Sequence, residues 1–358
     1  MHPGNDPMSH QPYVYVGVAG YVGRPEETGK SGVFRRPAKG GDWEHVFGDH
    51  ETHTVYVHPA DPSRVYAGTV NGVWVSSDAG ATFRKANFPD ADKQVWSVLA
   101  IEGQPDVMYA GGAPIDVYRS EDRGESWKKL PNPGMPERCK GPFEPRVMRL
   151  VQRPGKPEEL YAACEIAGTM HSTDGGQSWT DTSDHMVELS KLPHLESSIV
   201  QKETLAEGML DCHAVAISPA KPDAPIVALR MGLFQTENAG KTWNDLEIKR
   251  FSPTTYGRDI KASPHDDRTL YAALSIAAAS DDGGLYKSVD AGETWARFDK
   301  VQVHGTIMSI GVSNSDPDTV FLGARYKGEV FGTNDGGETW AAMPLPGEVK
   351  DIYSLACS

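Results

Sequence analysis

Short apolar runs of strand length recur along the whole chain, each closed by a cluster of turn-forming residues. Val55-Tyr56-Val57-His58-Pro59 is a strand that ends at a proline turn, and Arg64-Val65-Tyr66-Ala67-Gly68 is the strand that follows it. Gly72-Val73-Trp74-Val75 is the third, and it runs into a polar turn. The second-strand signature returns at Tyr109-Ala110-Gly111, Tyr161-Ala162-Ala163, Val227-Ala228-Leu229, Tyr271-Ala272-Ala273 and Phe321-Leu322-Gly323. A unit of this size cannot bury its own core, so the repeats must stack on one another and the whole array counts as one domain.

The turn that closes the third strand is itself a motif, Ser/Thr-x-Asp/Asn-x-Gly-x-Ser/Thr-aromatic. It occurs at Ser76 to Phe83, Ser120 to Trp127, Ser172 to Trp179, Thr236 to Trp243, Ser288 to Trp295 and Thr333 to Trp340. A degenerate copy, Arg36 to Trp43, keeps Gly40 and Trp43 but has Ala38 in the acidic position. The acidic side chain can accept backbone N–H bonds across the hairpin, the glycine can take a positive φ, and the aromatic ring packs underneath. A calcium loop would need several acidic ligands and a terminal glutamate, and each copy offers one acidic residue. Seven copies predict seven blades of an all-β propeller.

The ends of the chain fit that count. Tyr13 to Val18 is a second strand with no first strand before it, and Asp351-Ile352-Tyr353-Ser354-Leu355-Ala356 is a first strand with nothing after it. The last strand should complete the first blade and remove the open sheet edges. The expected organisation is a disordered tail over residues 1–12, then one propeller over 13–358 carrying a lid-like insertion over 181–210.

The motif resembles the Asp-box (BNR) repeat, found in sialidases, sortilin-type receptors and photosystem II assembly factors. The resemblance covers nearly the whole chain. It implies that each box sits between the third and fourth strands of a blade, on the face away from the usual binding site. A sialidase assignment fits poorly. The nearest match to an Arg-Ile-Pro signature, Arg35-Arg36-Pro37, falls on the strand entering the degenerate box, not at a channel mouth.

Charge narrows the partners. Lys+Arg 35 against Asp+Glu 49 leaves −14, so there is no basic surface for a nucleic acid backbone. No stretch of some 18 apolar residues argues for a membrane span, and the N-terminus lacks an apolar export region, which predicts a cytoplasmic protein. Cys139, Cys164, Cys212 and Cys357 lack metal-knuckle spacing and read as buried thiols, with a Cys212–His213 nucleophilic pair a remote option.

Aligning the first strands on their proline turns places His53, Trp96, Met148, His213, Arg258, Met308 and Tyr353 at one level around the axis. Two residues earlier lie Glu51, Gln94, Arg146, Asp211, Tyr256, Thr306 and Asp351. Three imidazoles, His53, His213 and His304, come from blades spread around the ring and could hold a divalent metal ion, with Glu51, Asp211 or Asp351 as further ligand, orienting group or general base. Arg146 and Arg258 on first strands, with Arg230 and Arg325 after second strands, could hold a small anionic molecule, with Trp96 and Tyr256 as contact surfaces. Equally, those arginines could pair with Glu51, Glu165, Asp211 or Asp351 in a structural network.

The connections that exceed the repeat length are 131–145, 181–210 and 246–256. Within the largest, Leu195, Ile199, Leu205 and Met209 predict a short amphipathic helix over 195–209. Two functions remain. One is a metal-assisted hydrolase or lyase acting on an acidic sugar or organic acid, with His53, His213, Asp211, Glu51 and Tyr353 as candidate catalytic groups. The other is a noncatalytic binding or assembly module using the same face.

Overall fold

A computed structural model describes residues 11–20, 28–139, 143–199 and 204–358. Seven antiparallel sheets of four strands each form a closed ring. We number the blades from the chain start and letter their strands A to D from the axis outward. Strand A is Asp351–Cys357 in blade 1, Thr52–His58 in blade 2, Gln94–Ile101 in blade 3 and Arg146–Arg153 in blade 4. In blades 5 to 7 it is Cys212–Ala216, Tyr256–Ala262 and Ile307–Val312. Blade 1 joins both ends of the chain, because Asp351–Cys357 pairs with Tyr13–Ala19 over Val14↔Cys357 to Ala19↔Asp351. The expected tail lies outside the described residues through position 10; Pro12 accepts a bond from the Ala38 amide.

The predicted turns form as hairpins with two successive left-handed residues, such as Ala79 (φ 56°) and Gly80 (φ 75°), or Arg123 (57°) and Gly124 (77°). In each, the first hydroxyl and the acidic side chain divide the turn amides between them. Ser76 Oγ accepts from Gly80 N at 2.8 Å, while Asp78 Oδ1 accepts from Thr82 N at 2.9 Å. Asn238 makes the same bond to Thr242 N, 2.9 Å. These turns also staple blade to blade. The hydroxyls of Tyr15, Tyr66 and Tyr109 donate to Ala79 O, Arg123 O and Gly175 O of the next blade, at 2.9, 2.8 and 3.0 Å.

Apolar clusters fill the seams between blades. Tyr66, Val73 and Val75 of blade 2 pack with Val98, Met108 and Trp127 of blade 3, and the equivalent cluster recurs around the ring. Among the described residues no helix is long and apolar enough to cross a membrane.

The 181–210 insertion departs from expectation. Its helices are Asp184–Leu189 and Glu207–Leu210, not one helix over 195–209, of which residues 200–203 lie outside the described residues. The chain folds back on itself here: Ser197 N bonds Leu205 O and Gly208 N bonds Ser197 O. That closure gives the backbone partners that a helix would otherwise supply, and it splits the supposed apolar face. Leu195 and Met209 are buried, whereas Ile199 and Leu205 stand exposed.

Candidate functional site

Every strand A carries a β-bulge near its start. The ladder skips one residue in each blade: between Thr52 and Thr54, Val95 and Ser97, Val147 and Arg149, Cys212 and Ala214, Gly257 and Asp259, Ile307 and Ser309, and Ile352 and Ser354. A bulged residue leaves the ladder and its side chain is re-aimed. The seven skipped residues are His53, Trp96, Met148, His213, Arg258, Met308 and Tyr353, the ring inferred from alignment of the repeats. All seven line one cavity on the axis of only about 30 Å³, room for about one water. The ring is therefore a septum across the channel.

On the side of the septum facing the strand A starts lies a buried ionic cluster. Glu165, at the end of strand B in blade 4, pairs with Arg146 through its Oε2, and its Oε1 lies 3.2 Å from Arg258 Nη1. Asp211 Oδ2 accepts from Arg230 Nε at 2.9 Å. Arg325 Nε lies 3.2 Å from Asp351 Oδ2. His213 sits between the carboxylates, its Nε2 3.4 Å from Asp211 Oδ2, 3.8 Å from Glu165 Oε1 and 3.2 Å from the Tyr256 hydroxyl. Its Nδ1 is 2.7 Å from the carbonyl oxygen of Gly257, which can only accept, so Nδ1 carries a proton and Nε2 is the nitrogen free to exchange one.

Burial alone would raise both carboxylic acids. Arg146 and Arg258 outweigh it at Glu165, and His213 and Arg230 outweigh it at Asp211, so both are held below their usual range and stay ionised. Burial pushes the Tyr256 and Tyr353 hydroxyls up to about 12, so both remain protonated donors.

His53 plays a different part. Its ring lies flat on Trp96, centroids 3.7 Å apart and planes 8° apart, and the Arg146 guanidinium sits 3.9 Å from the Trp96 ring and 3.8 Å from Phe143. Burial and then the Arg146 charge push the imidazole down to about 3. His53 is a neutral wall of the septum.

The three-imidazole arrangement is not assembled. His304 is exposed, and its amide and Nδ1 both bond the Glu329 carboxylate at 2.9 Å, which turns it away from the ring. The metal-capable group the structure does bring together among the described residues is Glu165, Asp211 and His213, with ligand atoms within 4.8 Å of one another. Glu51 is drawn aside by Lys350 Nζ, at 2.6 Å. Glu165 was legible as an arginine partner only. Nothing local marks it as the hub, because the two arginines it holds come from blades 4 and 6.

No family model matches the chain. It is 24% identical over 212 residues to the xyloglucanase Xgh74A of Acetivibrio thermocellus, a stretch that covers 52% of this chain and 24% of that protein. The chain thus spans about a quarter of the length of that curated relative. Among solved structures, the GH74 xyloglucanase from Xanthomonas campestris superposes with a TM-score of 0.62 at 17% identity, covering 84% of this chain and 46% of that one. YCF48 from Cyanidioschyzon merolae superposes at 0.59 and 17% identity, covering 87% and 92%. A YCF48 bound to D1 peptide gives 0.51 at 16%, covering 82% of each. At these identities the superpositions show a shared fold, the seven-bladed β-propeller.

Proposed function

We propose that the ionic cluster at the channel mouth binds a small anionic molecule, and that His213 transfers a proton to or from it in a hydrolase or lyase reaction. We infer as well that the repeats are Asp-boxes, on the strength of their turn geometry. The observation that carries the functional reading is a charge imbalance. Among the described residues, three guanidiniums, the buried Arg146 and Arg258 and the partly exposed Arg230, share two buried carboxylates, Glu165 and Asp211. The one guanidinium in excess leaves the cluster with a net positive charge that an anion would neutralise, and Arg230 offers it from a partly exposed position. Forked guanidiniums suit a carboxylate on an acidic sugar or organic acid. Tyr256 and Tyr353 add hydroxyl donors.

The same imbalance weighs on a divalent metal ion. The chemistry of Glu165, Asp211 and His213 suits such an ion, which would polarise a substrate or activate water, but it would have to displace guanidiniums from both carboxylates. Glycoside cleavage needs a protonated acid beside a carboxylate. With Glu165 and Asp211 both held ionised, His213 is the group left to serve as that acid.

Calorimetric titration with glucuronate, citrate and neutral xyloglucan oligosaccharides, paired with assays of bond cleavage, tests this. Binding of a carboxylate ligand that is lost in Arg230→Gln supports it; cleavage of the neutral glycan with no carboxylate binding overturns it. Carboxylate binding without turnover of any ligand would leave the second reading, a noncatalytic binding or assembly module, which is in line with the peptide-bound YCF48 that shares this fold.

A further inference from the structure

The channel does not end at the septum. Beyond it, the strands A of all seven blades wall a chamber of about 450 Å³, within the range of small-molecule sites. It reaches the A-to-B turns at Pro154 and Pro264, on the face that also carries the box turns, since Ala79 N bonds Ser63 O there. Its wall is chiefly aliphatic, with Val57, Val98, Val215, Ile260 and Leu355 among the lining residues.

Three charged side chains reach this wall: Glu102 at the exposed end, Arg149 and Lys261. Arg149 is answered by Asp259, at 2.8 Å. That carboxylate is already engaged, taking amide bonds from Ile260 and Ile310 at 3.0 and 2.9 Å. Lys261 has no carboxylate within salt-bridge distance among the described residues. Its Nζ donates to one carbonyl, Leu355 O, at 3.1 Å. An ammonium with donors to spare, in an apolar chamber large enough for a ligand, is a head-group site looking for an anion.

We propose that this chamber is a second ligand site, which takes a molecule with an apolar body and a single carboxylate or sulfonate that pairs with Lys261. The site is independent of the anion site across the septum. The groups that face Lys261 are Asp259 and Arg149, with Tyr56, Glu102 and Cys357 elsewhere on the wall. Burial first, opposed by Asp259 and aided by Arg149, pushes its amine down to about 8. An anionic head group favours the charged amine, so affinity is full below pH 8 and falls by up to about tenfold per unit above it.

The probe is 1-anilinonaphthalene-8-sulfonate, titrated into the folded full chain and followed by fluorescence, with octanoate and octanol as competitors. The expected result is one Lys261-dependent binding site, distinct from any Arg230-dependent anion binding at the mouth, with displacement by octanoate and not by octanol and at least about a tenfold loss of affinity at that site in Lys261→Met, which keeps the stem and removes the charge. Arg230→Gln, in the mouth, should leave the affinity unchanged. The thermal melt of Lys261→Met confirms that it is folded. Absence of stoichiometric binding, equal displacement by octanol, or an affinity in Lys261→Met within twofold of the parent overturns the proposal.

Discussion

His213 donates from Nδ1 to the carbonyl of Gly257, 2.7 Å away, and that bond presents its Nε2 to Tyr256, Asp211 and Glu165. Gly257 is the residue just before the bulge in the neighbouring blade, so the same distortion that re-aims Arg258 also sets the histidine tautomer. In His213→Asn the proton-exchanging nitrogen is gone. Turnover should fall by about 10² to 10⁴, the usual worth of a positioned acid or base, while anion affinity changes little. Separate measurement of kcat and ligand affinity checks this.

Glu165 bridges guanidiniums from blades 4 and 6. Glu165→Gln would leave the buried Arg146 and Arg258 without the carboxylate they share, since Asp211 is already paired with Arg230, at a cost of about 3–5 kcal/mol. Added citrate should recover part of the lost stability, because it supplies the missing charge. Differential scanning fluorimetry with and without citrate reads both effects.

His53 provides a pH signature. Its folded-state value, about 3, lies below the ordinary 6.5, so the folded protein binds fewer protons than the unfolded chain across that window. Its contribution to stability is complete above pH 6.5 and is lost on acidification toward 3, by on the order of 1.4 kcal/mol per unit. His53→Phe retains the stack on Trp96 and removes this share of the slope. Urea midpoints between pH 7 and 4.5 compare the two.

The turn motif contains its own control. Asn238 occupies in blade 5 the position that Asp122 holds in blade 3, and each accepts a 2.9 Å amide bond across the turn. Asp122→Asn should therefore unfold close to the parent, whereas Asp122→Ala, which loses that bond and the one to Ser126 Oγ, should be less stable by about 1–2 kcal/mol. Equilibrium urea unfolding decides between them.

Removal of residues 351–358 takes away strand A of blade 1 and leaves Tyr13–Ala19 as an open edge beside the channel. Such a truncation should lose cooperative thermal unfolding, and calorimetry would show it.

The blade count, the closure by the last strand and the level of the seven axial residues were all legible in the chain. Each depends on alternation, turn chemistry and spacing within one repeat, which are local properties. His53, Trp96, Arg258 and Tyr353 could be assigned to one ring because seven copies of a strand share one register. The bulges that aim them inward left no mark in the residues themselves.

What the ring residues do was decided only on closure. Arg258 and Glu165 are separated by 93 positions, and their pairing depends on how two nonadjacent blades converge on the axis. His304 lies close in sequence to the mouth, yet Glu329 of its own blade captures it, since a nearby carboxylate outcompetes a site farther away. The chamber around Lys261 is likewise a product of curvature: seven strands that each look half-buried enclose a space that no single strand implies. Local patterning therefore specified the blades, and the convergence of distant side chains on one axis specified the chemistry.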